Sequence, residues 1–297
     1  MVINGNKEKS RFDLTIDHVL IAVRDLKHTA DVFNNLGFTV TPEGLHPGRG
    51  SRNRLVVFEN DYLELISITD PTLPLFRPNM AVFLESRQGI FIFSMGTSDV
   101  QKVFLETKLR GLKINEPIYG ARHSDDGDME YSWHQSEIES DEFPGSQTFF
   151  IQHDHSIKQR YKDPHNAWDH ENGSLGIYNL TLVVDDAMDS ARQWASILNL
   201  EISFSGALDI LSANRVSLAF DNCTLDFLSP TGQGVIQDFL MQYGSGPYSM
   251  AIKVKDLKKI QKLLVSRDIP VTSITLDGNP AIAINPGNAQ GVRLTLV

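Results

Sequence analysis

Two residues able to do metal or acid–base chemistry stand inside otherwise apolar, strand-like runs: His18 in IDHVLIAV and Glu64 in DYLELISI. Side chains alternate along a strand, so Glu64 shares a face with Tyr62 and Ile66, opposite Leu63 and Leu65. A carboxylate in such a setting is costly to bury alone. A divalent metal, an arginine or a buried water would each compensate. His134, in the strand-like EYSWHQ, reads as a substitute ligand or general base, with a surface histidine as the alternative. His153 and His155 share one strand face, opposite Gln152, and read as surface groups. The turn-rich loop HPGRGSRNR, residues 46–54, carries Arg49, Arg52 and Arg54. Their guanidinium forks suit a carboxylate or phosphate, and a merely solvated turn fits equally well. His170 and Asn172, in HENGSLGI, either clamp a connecting segment or reach into a cavity; the turn at Gly173 favours the clamp.

Other chemistries are excluded or disfavoured. Cys223 is the only cysteine, which rules out an intrachain disulfide framework and a cysteine-rich zinc site; its setting reads as a buried apolar position. The chain carries 37 acidic against 27 basic residues, a net charge of −10, and such a chain is a poor partner for the nucleic-acid backbone. No phosphate loop, dinucleotide glycine pattern or serine nucleophile elbow occurs where a strand meets a helix. The N-terminus lacks the apolar stretch of a signal peptide and no run is long enough to span a membrane, so a cytoplasmic protein is the expectation.

The elements that must position these residues repeat. IDHVLIAVRDL leads into the amphipathic LKHTADVFNNLGF, and three short strands follow. The strand-to-helix junction VRDL at 23–26 recurs as TSDV at 97–100, VDDA at 184–187 and VKDL at 254–257. This period is too long for a solenoid and suits a supersecondary unit used four times. The fold expected is α+β, with four βαβββ modules paired into two mixed-sheet domains. The expected boundaries are a frayed tail at 1–12, an N-terminal domain at 13–155, a linker at 156–173 and a C-terminal domain at 174–297. The acidic segment 123–142 reads as a solvated hairpin inserted in the second module.

On the residues DHVLIAVRDL, LGFTVTPEGLHPGRGSRN, DYLELI and HENGSLGI, the chain resembles the vicinal oxygen chelate superfamily, and within it the glyoxalase-like branch. The superfamily includes glyoxalases, extradiol dioxygenases and antibiotic-resistance proteins. The resemblance implies that paired modules curl into a cup, with metal ligands on the first and last strand of each module. His18 and Glu64 match those positions in the first module, Ile92 and Gln152 in the second. Ile92 cannot bind a metal and would line the pocket, while Gln152 offers one neutral oxygen. His46 and Asn53 match pocket-lining positions. Asn179, Asp226, Ser249 and Thr295 match in the last two modules and do not make a second metal site. The function implied is a metal-dependent lyase, isomerase or dioxygenase acting on a small oxygen-bearing, anionic substrate, with zinc, manganese, iron, nickel or magnesium as cofactor. Glu64 and His134 would be its catalytic groups. The alternative is a metal-free binding or sequestration protein. A homodimer is the expected assembly.

Overall fold

The computed structural model describes residues 12–75, 77–123, 130–160 and 168–297. Its strands form two eight-stranded sheets of identical topology. The first contains β1 (Thr15–Ala22), β2 (Gly44–Leu45), β3 (Ser51–Val57), β4 (Tyr62–Ile68), β5 (Gly89–Gly96), β6 (Ile118–His123), β7 (Glu130–Glu137) and β8 (Thr148–His153). Their order is β2-β3-β4-β1-β5-β8-β7-β6. The second contains β9 (Ser174–Val183), β10 (Ile202–Leu208), β11 (Ala213–Ala219), β12 (Thr224–Pro230), β13 (Gly246–Val254), β14 (Val271–Leu276), β15 (Asn279–Ile284) and β16 (Arg293–Leu296), in the order β10-β11-β12-β9-β13-β16-β15-β14. In each sheet the first strand of a module runs parallel to that module's last strand and antiparallel to the first strand of its neighbour. The α+β architecture of paired βαβββ modules is the one expected from the repeat.

Among the described residues seven α-helices accompany the sheets: α1 (Leu26–Asn35), α2 (Asn79–Ser86), α3 (Val100–Leu109), the short α4 (Ile157–Arg160), α5 (Ala187–Leu198), α6 (Val235–Tyr243) and α7 (Leu257–Ser266). The recurring aspartate of the four junctions has one physical role. Asp25, Asp99, Asp186 and Asp256 each accept a hydrogen bond from the backbone N–H three residues on, at 2.8, 2.9, 2.8 and 3.0 Å, and so cap α1, α3, α5 and α7. Each cap satisfies one orphan donor and is worth about 1 kcal/mol.

One face of each sheet packs on the module helices in a shared core. Val19 and Ile21 of β1, Leu63 and Leu65 of β4, and Phe33 of α1 lie in it together with Trp194, Leu180 and Phe227 from the second half. Trp194 stacks on Phe143 with ring centroids 4.1 Å apart, and its Nε1–H donates to the Pro144 carbonyl. The opposite face of each sheet is left to form a cup.

The described residues add detail at three of the expected segments. Residues 1–11 of the expected tail lie outside the described residues, but Phe12 is buried, with the Arg110 guanidinium 4.9 Å from its ring. The acidic segment 123–142 contributes the returning strand of the antiparallel pair β6–β7, as a hairpin would, and the register of β7 with β8 also brings Trp133 and Gln135 into the sheet; residues 124–129 lie outside the described residues. In the expected linker, Ile157 and Trp168 pack on Leu55, Val57 and Tyr62; residues 161–167 lie outside the described residues. Among the described residues no helix is long and apolar enough to cross a membrane.

Candidate functional site

The cup of the first sheet is built by strand alternation. On β1 and β4 odd-numbered side chains turn to the shared core, on β8 the even-numbered Phe150 does, and the other face presents His18, Tyr62, Glu64 and His153 to a cavity of about 90 Å³. Leu20, Ile66, Phe149, Ile151 and Trp133 make most of the remaining wall. That volume is small beside the several hundred Å³ of ordinary ligand sites, so the cup admits a small molecule only.

His18 is tightly oriented. A register shift between Ile16 and His18 bulges β1 and brings Asp17 beside the ring. Asp17 Oδ1 lies 2.7 Å from His18 Nδ1 and 3.1 Å from His153 Nε2; Ser94 Oγ lies 2.8 Å from the same Nδ1. Burial works to raise the Asp17 pKa, but attraction and hydrogen bonds from His153 and His18 outweigh it and hold the carboxyl well below its usual range. An ionised Asp17 only accepts, so it draws an Nδ1–H of His18 towards itself and leaves Nε2 as the ring nitrogen facing the cup. The ring is stacked on Tyr62, centroids 4.5 Å apart, with Phe149 edge-on at 5.7 Å.

Glu64 is buried at the centre of this arrangement. Its Oε2 lies 3.6 Å from His18 Nε2, and its Oε1 lies 3.7 Å from His46 Nε2. Asn53 Nδ2 donates to Oε1 at 2.7 Å and stands 3.4 Å from His46 Nε2; His46 Nδ1 is 3.1 Å from Ser51 Oγ. His18, His46, Asn53 and Glu64 are thus brought together. His46 comes from the loop after β2, beside Asn53 of β3, which is why the HPG turn matters.

The other sequence candidates lie elsewhere. Leu20 pairs with Glu64, Thr181 with Asp226 and Ala251 with Thr295, so the equivalent pairing of Ser94 puts Phe149 at the last-strand position of the second module. Gln152 is three residues further on and therefore on the opposite face. Its Oε1 accepts from the backbone N–H of Val100 at 2.9 Å, at the start of α3, and it contributes nothing to the cup. The same shift turns His153 inward. Ile92 holds the position equivalent to His18 and packs with Leu20, Ile66 and Ile151 beneath the cavity. His134 is on the outer face of β7, 44% exposed and 3.6 Å from Asp154, so it cannot serve as ligand or base in the cup. Arg52 and Arg54 turn outward to Glu43, and Arg49 borders a separate surface hollow, so none of the three forms a substrate clamp in the cup. His170 and Asn172 are clamps rather than pocket residues. His170 accepts from the Thr39 N–H at 2.9 Å and donates to the Val57 carbonyl at 3.0 Å; Asn172 donates to the Leu36 carbonyl and accepts from the Ser174 N–H.

Sequence reasoning missed Asp17, Arg77 and Trp133. Arg77 lies with its guanidinium 4.5 Å from the Phe149 ring and both arms on Glu137. Trp133 Nε1–H donates to Gln135 at 2.7 Å. Asp17 could have been found from its place beside His18 in an apolar strand; Arg77 and Trp133 carry no such signal.

A family profile described as a glyoxalase-like domain matches residues 16–198, which contain the whole cup. The chain belongs to this glyoxalase-like family. It is thereby a member of the vicinal oxygen chelate superfamily, as its residues suggested. A search of curated proteins finds no match. Among solved structures, a hypothetical protein from Staphylococcus aureus superposes with a TM-score of 0.68 at 16% identity, covering 96% of this chain and 99% of that one. A variant of 4-hydroxymandelate synthase from Streptomyces coelicolor superposes with a TM-score of 0.69 at 13% identity, covering 96% and 92%. At these identities the likeness concerns the fold.

For a glyoxalase-like chain the donor set bears on a metal. His18 offers Nε2 with the carboxylate-backed Nδ1 typical of metal-bound histidines, and Glu64 faces it. At the two equivalent ligand positions the second module has apolar Ile92 and Phe149, and its inward-facing His153 directs Nε2 to Asp17. Among the described residues no three His, Cys, Asp or Glu side chains already form a metal-holding group. Two donors therefore fit, and His46 is the side chain nearest to making a third.

Proposed function

We propose that the first cup is the active site of a small-molecule enzyme in which His18 and Glu64, joined by His46, hold a divalent metal. The observation that carries this reading is the Asp17–His18–Glu64 line: a carboxylate orients the imidazole through Nδ1, and Nε2 faces a buried carboxylate 3.6 Å away. Two imidazoles and a carboxylate suit zinc, manganese, iron or nickel better than magnesium. When bound, such an ion supplies Lewis-acid polarisation of a substrate oxygen. The chain's own residues do the rest. Asn53 holds the Glu64 carboxylate in one orientation, and Glu64 is placed to hold a proton taken from, or given to, a substrate carbon or oxygen. Leu20, Ile66, Phe149 and Ile151 keep water from the reacting atoms, and the cavity limits the substrate to a small oxygen-bearing molecule. A lyase, an isomerase and a dioxygenase all use this equipment.

A second reading, a metal-free binding protein, is favoured by the Asn53 hydrogen bond, which satisfies Glu64 with no metal, and by the apolar walls. Thermal unfolding with a panel of small hydroxy and keto acids separates the two. Stabilisation that disappears with a chelator supports the enzyme reading; equal stabilisation with and without chelator supports the second.

A further inference from the structure

Among the described residues two arginines without an ion-pair partner lie away from the cup, where the two halves of the chain meet. Arg87, just after α2, and Arg293, at the start of β16, both border a cavity of about 490 Å³. The Arg87 guanidinium lies 4.4 Å from the ring of Tyr243, 4.8 Å from Phe83 and 5.0 Å from Phe239. Arg293 lies 4.6 Å from Tyr248 and 6.0 Å from the same Phe239. One aromatic side chain thus holds two cations on a common wall. Among the described residues neither guanidinium has a side-chain hydrogen bond or an ion pair. Asp238 borders the cavity too, and pairs with neither.

Two like charges on one cavity wall, half-buried and without a carboxylate partner, are unfavourable unless an anion joins them. Burial, with Arg293 nearby, already lowers the Arg87 pKa. The aromatic rings accept no N–H in the plane of a guanidinium, so the N–H donors of both arginines are left for a ligand in the cavity. Paired forks of this kind match the oxygens of a phosphate group.

We propose that this junction binds a phosphate or diphosphate group between Arg87 and Arg293, at a site separate from the cup. Both halves of the chain contribute, so binding would also lock α2 against α6.

The test is calorimetric titration of the full chain with inorganic pyrophosphate, inorganic phosphate and phenyl phosphate at constant ionic strength set with KCl. Saturable binding of at least one is expected, weakened about tenfold or more in both Arg87→Gln and Arg293→Gln and unchanged in His18→Ala. Tighter binding of phenyl phosphate than of phosphate would assign the group to an organic carrier; the reverse would assign a free anion. The two arginines stand on different halves, so a fold defect in one variant leaves the other to decide. Wild-type protein that binds none of the three, or binding that survives either substitution, overturns the proposal.

Discussion

Arg215 holds in the second sheet the register position that Asn53 holds in the first. Asn53 pairs with Ile66, two residues beyond Glu64; Arg215 pairs with Leu228, two beyond Asp226. The consequence is opposite. Asn53 donates to its carboxylate and leaves a cavity beside it, whereas Arg215 places its guanidinium 3.5 Å from Asp226, 2.7 Å from Asp277 and over the Phe204 ring. The second cup is thus built around a cation. Burial raises the Asp226 pKa, and Arg215 is the cation opposing that rise. Arg215→Asn should therefore cost about 3–5 kcal/mol in urea unfolding, by leaving a buried carboxylate unpaired. Adding Asp226→Asn should recover most of the loss. A single variant as stable as the wild type would show that the pair is not structural.

Gln152 separates a ligand from a cap. Its Oε1 accepts from the Val100 N–H, an otherwise orphan donor at the start of α3. Gln152→Ala should lower stability by about 1 kcal/mol and leave metal affinity in the cup unchanged. A loss of metal affinity would put the side chain back in the cup.

His170 and Asp61 give the protein opposed pH responses. Burial pushes His170 down to about 4, and its neutral ring is the one that bridges Thr39 and Val57. The unfolded chain takes up this proton near pH 6.5. Stability from His170 is therefore full above pH 6.5 and declines by about 3 kcal/mol as pH falls towards 4. Asp61 is pushed up to about 7 by burial at the junction, where Ile177 and Asn222 donate to it. Its contribution is present below the unfolded value of 3.8 and is lost, by about 4 kcal/mol, as pH rises to 7. The two slopes largely cancel between pH 4 and 6.5. His170→Gln should unmask a stability that falls with rising pH; a profile parallel to the wild type's would contradict the assignment.

The fold was legible because the repeat is written in local chemistry: the same aspartate ends the first strand and caps the following helix in all four modules. His18 and Glu64 were legible because a charge in an apolar strand needs a reason. Gln152 misled because nothing in TFFIQHD marks the register of the last strand, and an odd slip along a strand reverses the face. The loop arginines stayed open between two readings for a different reason: Glu43, which holds Arg52 and Arg54 outward, gives no sign of that pairing in the sequence. His134 sits on the exposed face of β7, while Trp133 next to it points in, and only the register with β8 distinguishes them.

The central claim is that His18 and Glu64 form a metal site. It is tested most directly by equilibrium dialysis of untagged protein against zinc and manganese, followed by elemental analysis. About one ion per chain is expected for the wild type, and well under a tenth of that for the His18→Ala/Glu64→Ala double variant at the same free metal. His46→Ala should show an intermediate, weakened affinity. A double variant that retains the wild-type metal content, or a wild type that binds none, would contradict the account.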